Sequence, residues 1–327
     1  MDGYDGILNN DMLIKSLKTA VRSGRVGHAY IFDGEKGSGK TSVARAFAKT
    51  LNCEAGGDAP CGVCASCRAF DDNNNPDVIY ISEEKSIKVD TVREQINAAI
   101  MTRPFSYRYK VFVISDADTM NPQAQNAFLK TLEEPPSFAV FLLLCQNFNK
   151  LLPTILSRCI LFKLRPLPQP MLKKYLTDRG FTAERADTLS HYARGIVGRA
   201  LELDTDEGFA DLTAAAFDIC TNIKKWDIVE LFSNCGVFAK DRRGDIDTLL
   251  RLMYYIFRDA LIYKTTGNTQ HLIHSTRLDR LDSVCAAFST RQLMKACDAL
   301  EQARGRMAVN GSIQYVVEEL FYRIKER

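Results

Sequence analysis

The stretch Ala29-Tyr30-Ile31-Phe32-Asp33-Gly34-Glu35-Lys36-Gly37-Ser38-Gly39-Lys40-Thr41-Ser42-Val43-Ala44-Arg45-Ala46-Phe47-Ala48 decides how the rest of the chain is read. Its centre, from Gly34 to Thr41, matches the phosphate-loop pattern G-x-x-x-x-G-K-[ST]. The apolar run before it predicts a strand, and the run after it has helical composition. Strand, loop and helix in that order are the context in which the motif has a physical meaning. Gly34, Gly37 and Gly39 let backbone N–H groups turn toward a phosphate. Lys40 reaches the outer phosphates, and the Thr41 hydroxyl faces Mg²⁺. Gly34, Gly37, Ser38, Gly39, Lys40, Thr41 and Ser42 are therefore the expected nucleotide-binding residues.

Working outward, apolar β-rich runs recur at 29–32, 78–81, 111–114, 140–144 and 160–162, with helical segments between them, notably 91–101 and 123–132. The alternation predicts an α/β core, a parallel sheet with helices on both faces. Asn121-Pro122 reads as an N-cap followed by proline at the first helical position, and Pro135-Pro136 stops the same helix. Arg165-Pro166-Leu167-Pro168-Gln169-Pro170 marks a domain boundary. Beyond it strand patterns vanish, and amphipathic segments at 246–264, 291–307 and 313–324 predict all-α structure. The expected division is a nucleotide-binding domain over 1–165, a small helical lid over 166–204, and a helical domain over 205–327.

Lysine plus arginine number 43 against 40 acids, a net charge of +3 in 327 residues, so a wholly basic nucleic-acid coat is not indicated. The first residues carry no basic and apolar leader pattern, and no apolar run approaches the roughly 20 residues of a membrane helix. A soluble, cytoplasmic protein is expected. In that reducing setting the ten cysteines are no disulfide framework.

Four of them stand out. Cys53, Cys61, Cys64 and Cys67 form C-x7-C-x2-C-x2-C, an inserted module at about 53–67. Four soft ligands with no histidine suit a closed, tetrahedral, structural zinc site. His28, just before a strand, reads as a hydrogen-bonded structural residue. His191, His271 and His274 form no recognisable cluster with acids. The basic end at 323–327 reads as a solvated helix terminus.

A phosphate loop followed by a four-cysteine insert resembles the clamp-loader ATPases of bacterial replication, members of the AAA+ class. Gly24-Arg25-Val26-Gly27-His28-Ala29-Tyr30, Leu132-Glu133-Glu134-Pro135-Pro136 and Ser157-Arg158-Cys159 match that family's motifs. The resemblance implies an AAA+ core with a zinc module, a lid, and a collar that joins subunits into a ring. Its implied partners are the other clamp-loader subunits (gamma/tau and delta), the sliding clamp indirectly, and primer-template DNA. ATP with Mg²⁺ becomes the candidate nucleotide, and membranes are excluded.

Where the family's hydrolysing members carry Asp-Glu after the third strand, this chain has Ser115-Asp116, followed by Ala117-Asp118. A hydroxyl binds Mg²⁺ less well than a carboxylate, and aspartate reaches about one methylene less far than glutamate. Asp116 is the candidate residue of this degraded acidic site. Cys145-Gln146-Asn147 replace threonines that read the γ-phosphate, and Gly198 stands where the motors place a sensing arginine, with Arg199 one residue out of register. These departures resemble the delta-prime branch. Arg158 is intact, and by the resemblance it acts in trans on a neighbouring subunit's ATP. The expectation is a ring-completing subunit that presents Arg158 and hydrolyses ATP weakly or not at all. The alternative is a hydrolysing gamma/tau-like motor. A standalone DNA-binding protein is disfavoured for want of a basic stripe.

Overall fold

The computed structural model describes residues 3–83, 85–205, 207–227, 229–230, 233, 246–269, 272–308 and 313–326. The chain divides into two compact units, one of residues 1–175 with 193–201, the other of 176–192 with 202–327. The expected lid span, 166–204, thus contributes to both. His271 and Arg327 lie outside the described residues.

The first unit is built on five parallel strands, β1 (Ala29–Asp33), β2 (Val78–Ile81), β3 (Lys110–Ile114), β4 (Ala139–Cys145) and β5 (Ile160–Lys163), in the order β2-β3-β4-β1-β5. Each expected strand is present, extended by at most two residues. β3 and β4 are buried along their whole length, as strands covered on both faces must be. Alternate side chains serve two cores. Tyr30, Phe32, Val111, Val113, Leu142 and Leu144 pack with Leu17, Val43 and Phe47 from α1 (Asp11–Arg22) and α2 (Lys40–Leu51). Ile31, Phe112, Ile114, Phe141 and Leu143 face the other way, onto Val92, Ile96, Phe128 and Leu132.

Short α3 (Ala65–Asp71) closes the cysteine insert and carries Cys67. Its last residue, Asp71, accepts both its hydrogen bonds from Lys49 Nζ, at 2.6 and 2.7 Å, and so ties the insert to α2. The helix expected at 91–101 is not a regular α-helix. Ala98 N–H donates to Arg93 O, a widened i→i−5 turn, and 99–101 tighten into a 3₁₀ turn. Apolar spacing of four at Val92, Ile96 and Ile100 still buries one face, which is why the pattern reads as helical. The next helix, α4 (Pro122–Glu133), is as expected. Asn121 Oδ1 accepts from Ala124 N–H at 2.8 Å, and proline opens it.

Asp77 is fully buried at the start of β2, and its carboxylate accepts the N–H groups of Phe105, Ser106 and Tyr107. It fixes the loop into β3. Asp77→Ala strands those donors, and urea denaturation should show the first unit destabilised by about 3 kcal/mol. Asp77→Asn, which keeps one acceptor oxygen, should cost roughly half of that.

The second unit is all-α. Its helices include α6 (Ala183–Tyr192), α8 (Glu207–Asn222), α9 (Ile246–Thr266), α10 (Leu278–Ala287), α11 (Thr290–Ala308) and α12 (Ile313–Glu326); α5 (Gln169–Thr177) and α7 (Val197–Thr205) cross the division between the units. Leu250, Met253, Phe257, Leu281, Leu293, Leu300, Val317 and Phe321 fill its core. Contrary to the sequence reading, His274 does meet an acid. Its Nδ1–H donates to buried Asp259 at 2.9 Å, and Tyr192 O–H donates to its Nε2 at 2.8 Å. Asp259 also accepts the N–H groups of Ile273 and His274 and pairs with Arg258. Every polar atom of this buried chain has a partner, so it works as a structural pin.

Candidate functional site

The phosphate loop connects β1 to α2. Gly34 N–H donates to Cys145 O, and Ser38 N–H donates to Glu35 O, so the loop folds back on itself between two strands. Lys40 is 8% exposed, and its Nζ donates to Gly34 O at 2.6 Å and Glu35 O at 2.9 Å. Burial lowers the pKa of the Lys40 ammonium, while the carboxylates of Asp116 and Asp118 oppose that shift. Thr41 and Ser42 are exposed at the N-terminus of α2, where an anion is favoured. Ser38 Oγ is buried with no hydrogen-bond partner among the described residues, a donor waiting for an acceptor.

A cleft of about 260 Å³ opens beside the loop within the first unit. Gly37, Ser38, Gly39 and Ser42 line one side; Ile7, Leu8, Leu167, Tyr175, Val197 and Leu201 line the other. Apolar walls next to a donor-rich loop suit a base and ribose joined to phosphates. The residues fit a nucleotide on chemistry as well as motif.

At one edge of the cleft two glycine backbones touch. Gly198 N–H donates to Gly37 O at 3.0 Å. Gly37 has φ +81°, and a Cβ placed on Gly198 would lie 2.6 Å from Gly37 Cα. The approach is possible only because neither residue has a side chain. Arg199, one residue out of register with the sensing position, is half-buried here.

After β3 come Ser115 and Asp116, the residues expected at the acidic site. Asp116 is exposed, adopts a left-handed backbone with φ +46°, and accepts a hydrogen bond from Gln146 Nε2 at 3.1 Å. One of the two N–H donors of the Gln146 side-chain amide thus goes to Asp116. Asp118, two residues on, is buried, accepts Gln146 N–H at 3.1 Å, and lies 3.7 Å from Lys150 Nζ. Asp33 accepts Phe148 N–H. Burial also pushes the Cys145 thiol up, which keeps it neutral beside these acids.

Arg158 follows a short helical turn, Pro153–Leu156, and precedes β5, the strand at the sheet edge. Its side chain is 35% exposed. Nη1 donates to Thr154 O at 3.0 Å and Ser157 Oγ at 3.3 Å, and Nη2 donates to Glu133 Oε1 at 3.0 Å. Neighbouring Cys159 is half-buried with its thiol pushed up to about 12 by burial, so it is no nucleophile.

The four cysteines converge. The sulfurs of Cys53, Cys61, Cys64 and Cys67 all lie within 4.8 Å of one another. Tetrahedral Zn–S bonds of about 2.3 Å require sulfurs roughly 3.8 Å apart. Backbone N–H groups already solvate the sulfurs: Cys61 N–H points at Cys53 Sγ, Cys64 N–H at Cys61 Sγ and Cys67 N–H at Cys64 Sγ. Such donors stabilise thiolates, and those of Val63 and Cys64 pull the Cys61 thiol down to about 6. The cluster can hold a metal ion. His28 differs from expectation, since its Nε2 is buried without a partner among the described residues.

With this geometry in place, the chain can be set beside known proteins. A family model described as DNA polymerase III, delta subunit, matches residues 9–168. The delta' subunit of DNA polymerase III from Bacillus subtilis is 26% identical over 321 residues, covering 96% of this chain and 95% of that protein. The chain is thus similar to the DNA polymerase III delta' subunit along nearly its whole length. The tau subunit of Escherichia coli is 39% identical over 214 residues, 63% of this chain and 33% of that protein. The tau/gamma subunit of Haemophilus influenzae is 39% identical over 174 residues, 53% of this chain and 25% of that protein. The chain therefore spans only a quarter to a third of those relatives. A solved gamma subunit-related protein from Thermotoga maritima aligns over 96% of this chain and 99% of its own, with 19% identity and a TM-score of 0.39. No helix among the described residues is long and apolar enough to cross a membrane.

Two features of the site escaped the sequence reading. Burial of Asp118 depends on the turn after β3, and Asp116 and Asp118 look alike as letters. The Glu133 partner of Arg158 lies 25 residues away. The only available signal was that both sit inside family motifs.

Proposed function

We propose that this chain is a delta-prime-type subunit of the bacterial DNA polymerase III clamp loader. It completes the loader ring and presents Arg158 in trans to a neighbouring ATPase subunit, so that the sliding clamp is placed on primed DNA. The carrying observation is the pairing of an intact, partly exposed Arg158 with an acidic site reduced to Ser115 and Asp116. Arginine suits the role because it stays charged and offers a planar fork of donors to a γ-phosphate. Its neighbours in the loader are gamma/tau and delta subunits, with primer-template DNA held by the assembled complex in the cytoplasm. The lid at 166–204 and the collar at 205–327 carry the ring contacts, and zinc fills the cysteine cluster as a structural ion.

The phosphate loop holds ATP through Gly34, Gly37, Ser38, Gly39, Lys40, Thr41 and Ser42. When bound, the nucleotide supplies a ligand that orders the loop; Ser115 and Asp116 are poorly matched to holding Mg²⁺ and activating water. ATP should therefore bind the isolated chain, and Lys40→Ala should weaken binding by about 100-fold in calorimetry, the loss of a charge-assisted contact in a buried site. Turnover by the isolated chain should not rise above that of Lys40→Ala.

A second reading is favoured by the intact loop and by the 39% identity to tau subunits. In it the chain is a gamma/tau-like motor. Robust hydrolysis by the isolated chain, abolished by Lys40→Ala, would establish the motor and remove the first reading.

A further inference from the structure

Two motifs that are separate in sequence form one physical unit. The proline pair 135–136 ends α4, so Glu133 stands at a fixed helix terminus and cannot be carried further along a helix. A carboxylate at a helix C-terminus is disfavoured by the helix dipole. Glu133 is half-exposed, and its one described partner is Arg158. On the arginine side, Thr154 O and Ser157 Oγ take two N–H groups of Nη1, and Glu133 takes one of Nη2. A guanidinium has five N–H donors, so Nε–H and one Nη2–H have no acceptor among the described residues. The Ser157 hydroxyl in turn donates to Thr154 O. Three acceptors from two elements therefore hold the fork by its inner side and leave two donors for an incoming oxygen.

From this geometry we propose that Glu133 is the positioning residue for Arg158. It holds the guanidinium in the orientation that a neighbouring subunit's γ-phosphate meets on docking. The proposal rests on the trans role of Arg158 given above. A long, flexible arginine loses side-chain freedom when it engages a phosphate. The Glu133 contact makes that loss before the phosphate arrives. Because the charge on the γ-phosphate grows in the transition state, the benefit falls on turnover and not on ATP affinity.

The test is single-turnover ATP hydrolysis by the loader reconstituted from this chain and its motor partners. Glu133→Ala should lower kcat at the served site by about five-fold, the upper range for a half-exposed ion pair, with KM for ATP unchanged within about two-fold. Glu133→Gln, which keeps an acceptor oxygen, should recover most of the rate. In an Arg158→Ala background, Glu133→Ala should add nothing. Unchanged kcat with Glu133→Ala, an equal further loss without Arg158, or a faster rate, which would make Glu133 a restraint competing with phosphate, each overturns the proposal. If Arg158→Ala itself leaves turnover unchanged, the trans reading fails first. If only Glu133→Ala is silent, that reading stands and this one falls.

Discussion

Arg158→Ala in the assembled loader should cut ATP hydrolysis at the site it serves by about 10³-fold or more, while ring assembly is unaffected. The size follows from where charge develops. In phosphoryl transfer the γ-phosphate oxygens gain charge in the transition state, and a positioned guanidinium acts on them in a site from which water is excluded. Assembly survives because the side chain is only partly buried, and its loss removes one half-exposed ion pair, worth at most about 1 kcal/mol. Arg158→Lys should recover little, since an ammonium has the charge but no planar fork to span Ser157, Thr154 and Glu133 while still reaching a phosphate. The measurement is pre-steady-state turnover resolved by site, with gel filtration as the control for assembly. Steady-state rates alone understate the loss, because the loader's other motor sites do not depend on this chain. Turnover within two-fold of the unsubstituted loader at every site would falsify the trans role.

The second large effect is metal removal. The protein purified without chelators should carry one zinc per chain, bound by Cys53, Cys61, Cys64 and Cys67. Stripping it should destabilise the insert by about 5 kcal/mol or more, a fraction of the 10–16 kcal/mol typical of isolated zinc modules because α3 and the Lys49–Asp71 pair tie this one to the core. Without a cation the four sulfurs within 4.8 Å cannot all stay ionised, and burial already pushes the Cys67 thiol up, so loss of the metal should go with uptake of protons and a weaker hold on the insert. Cys67→Ser should lose the metal outright, since Cys67 is fully buried and a serine oxygen is a shorter, harder ligand. Hydrogen exchange reports the change locally. The amides of Cys61, Cys64 and Cys67, which point at sulfur, should lose protection, while those of β3 and β4 keep theirs. Metal analysis finding no zinc, or exchange unaltered by chelation, would count against the site.

What was legible in the sequence followed physical range. The strands were readable because β1, β3 and β4 are buried on both faces and so are written as unbroken apolar runs. The α4 start was readable because Asn121 and Pro122 act within four residues of each other. The cysteine site was readable because three of its ligands fall within seven residues. The segment at 91–101 was legible as helical but not its widened turn at 92–97, because a widened turn and an α-helix bury nearly the same positions. Asp77, Asp118, Glu133 and the Asp259–His274 pair were opaque for one shared reason. An acid's role is set by its partners, and those lie 25 residues away for half-exposed Glu133, 28 to 30 for buried Asp77 and 15 for buried Asp259. No local pattern distinguishes such an acid from one in solvent. Fold was therefore easier to read than site, since the fold is written in repeating apolar periods and the site in single polar letters.

The contact between Gly37 and Gly198 bears on how such a chain can change. Giving position 198 any side chain, an arginine included, drives a carbon to 2.6 Å from the Gly37 Cα, and the loop must first retreat. Gly37 is itself held near φ +81°, a conformation costly for other residues. A side chain at 198 and a shift of the loop at Gly37 must therefore come together, so the two positions can change only as a pair.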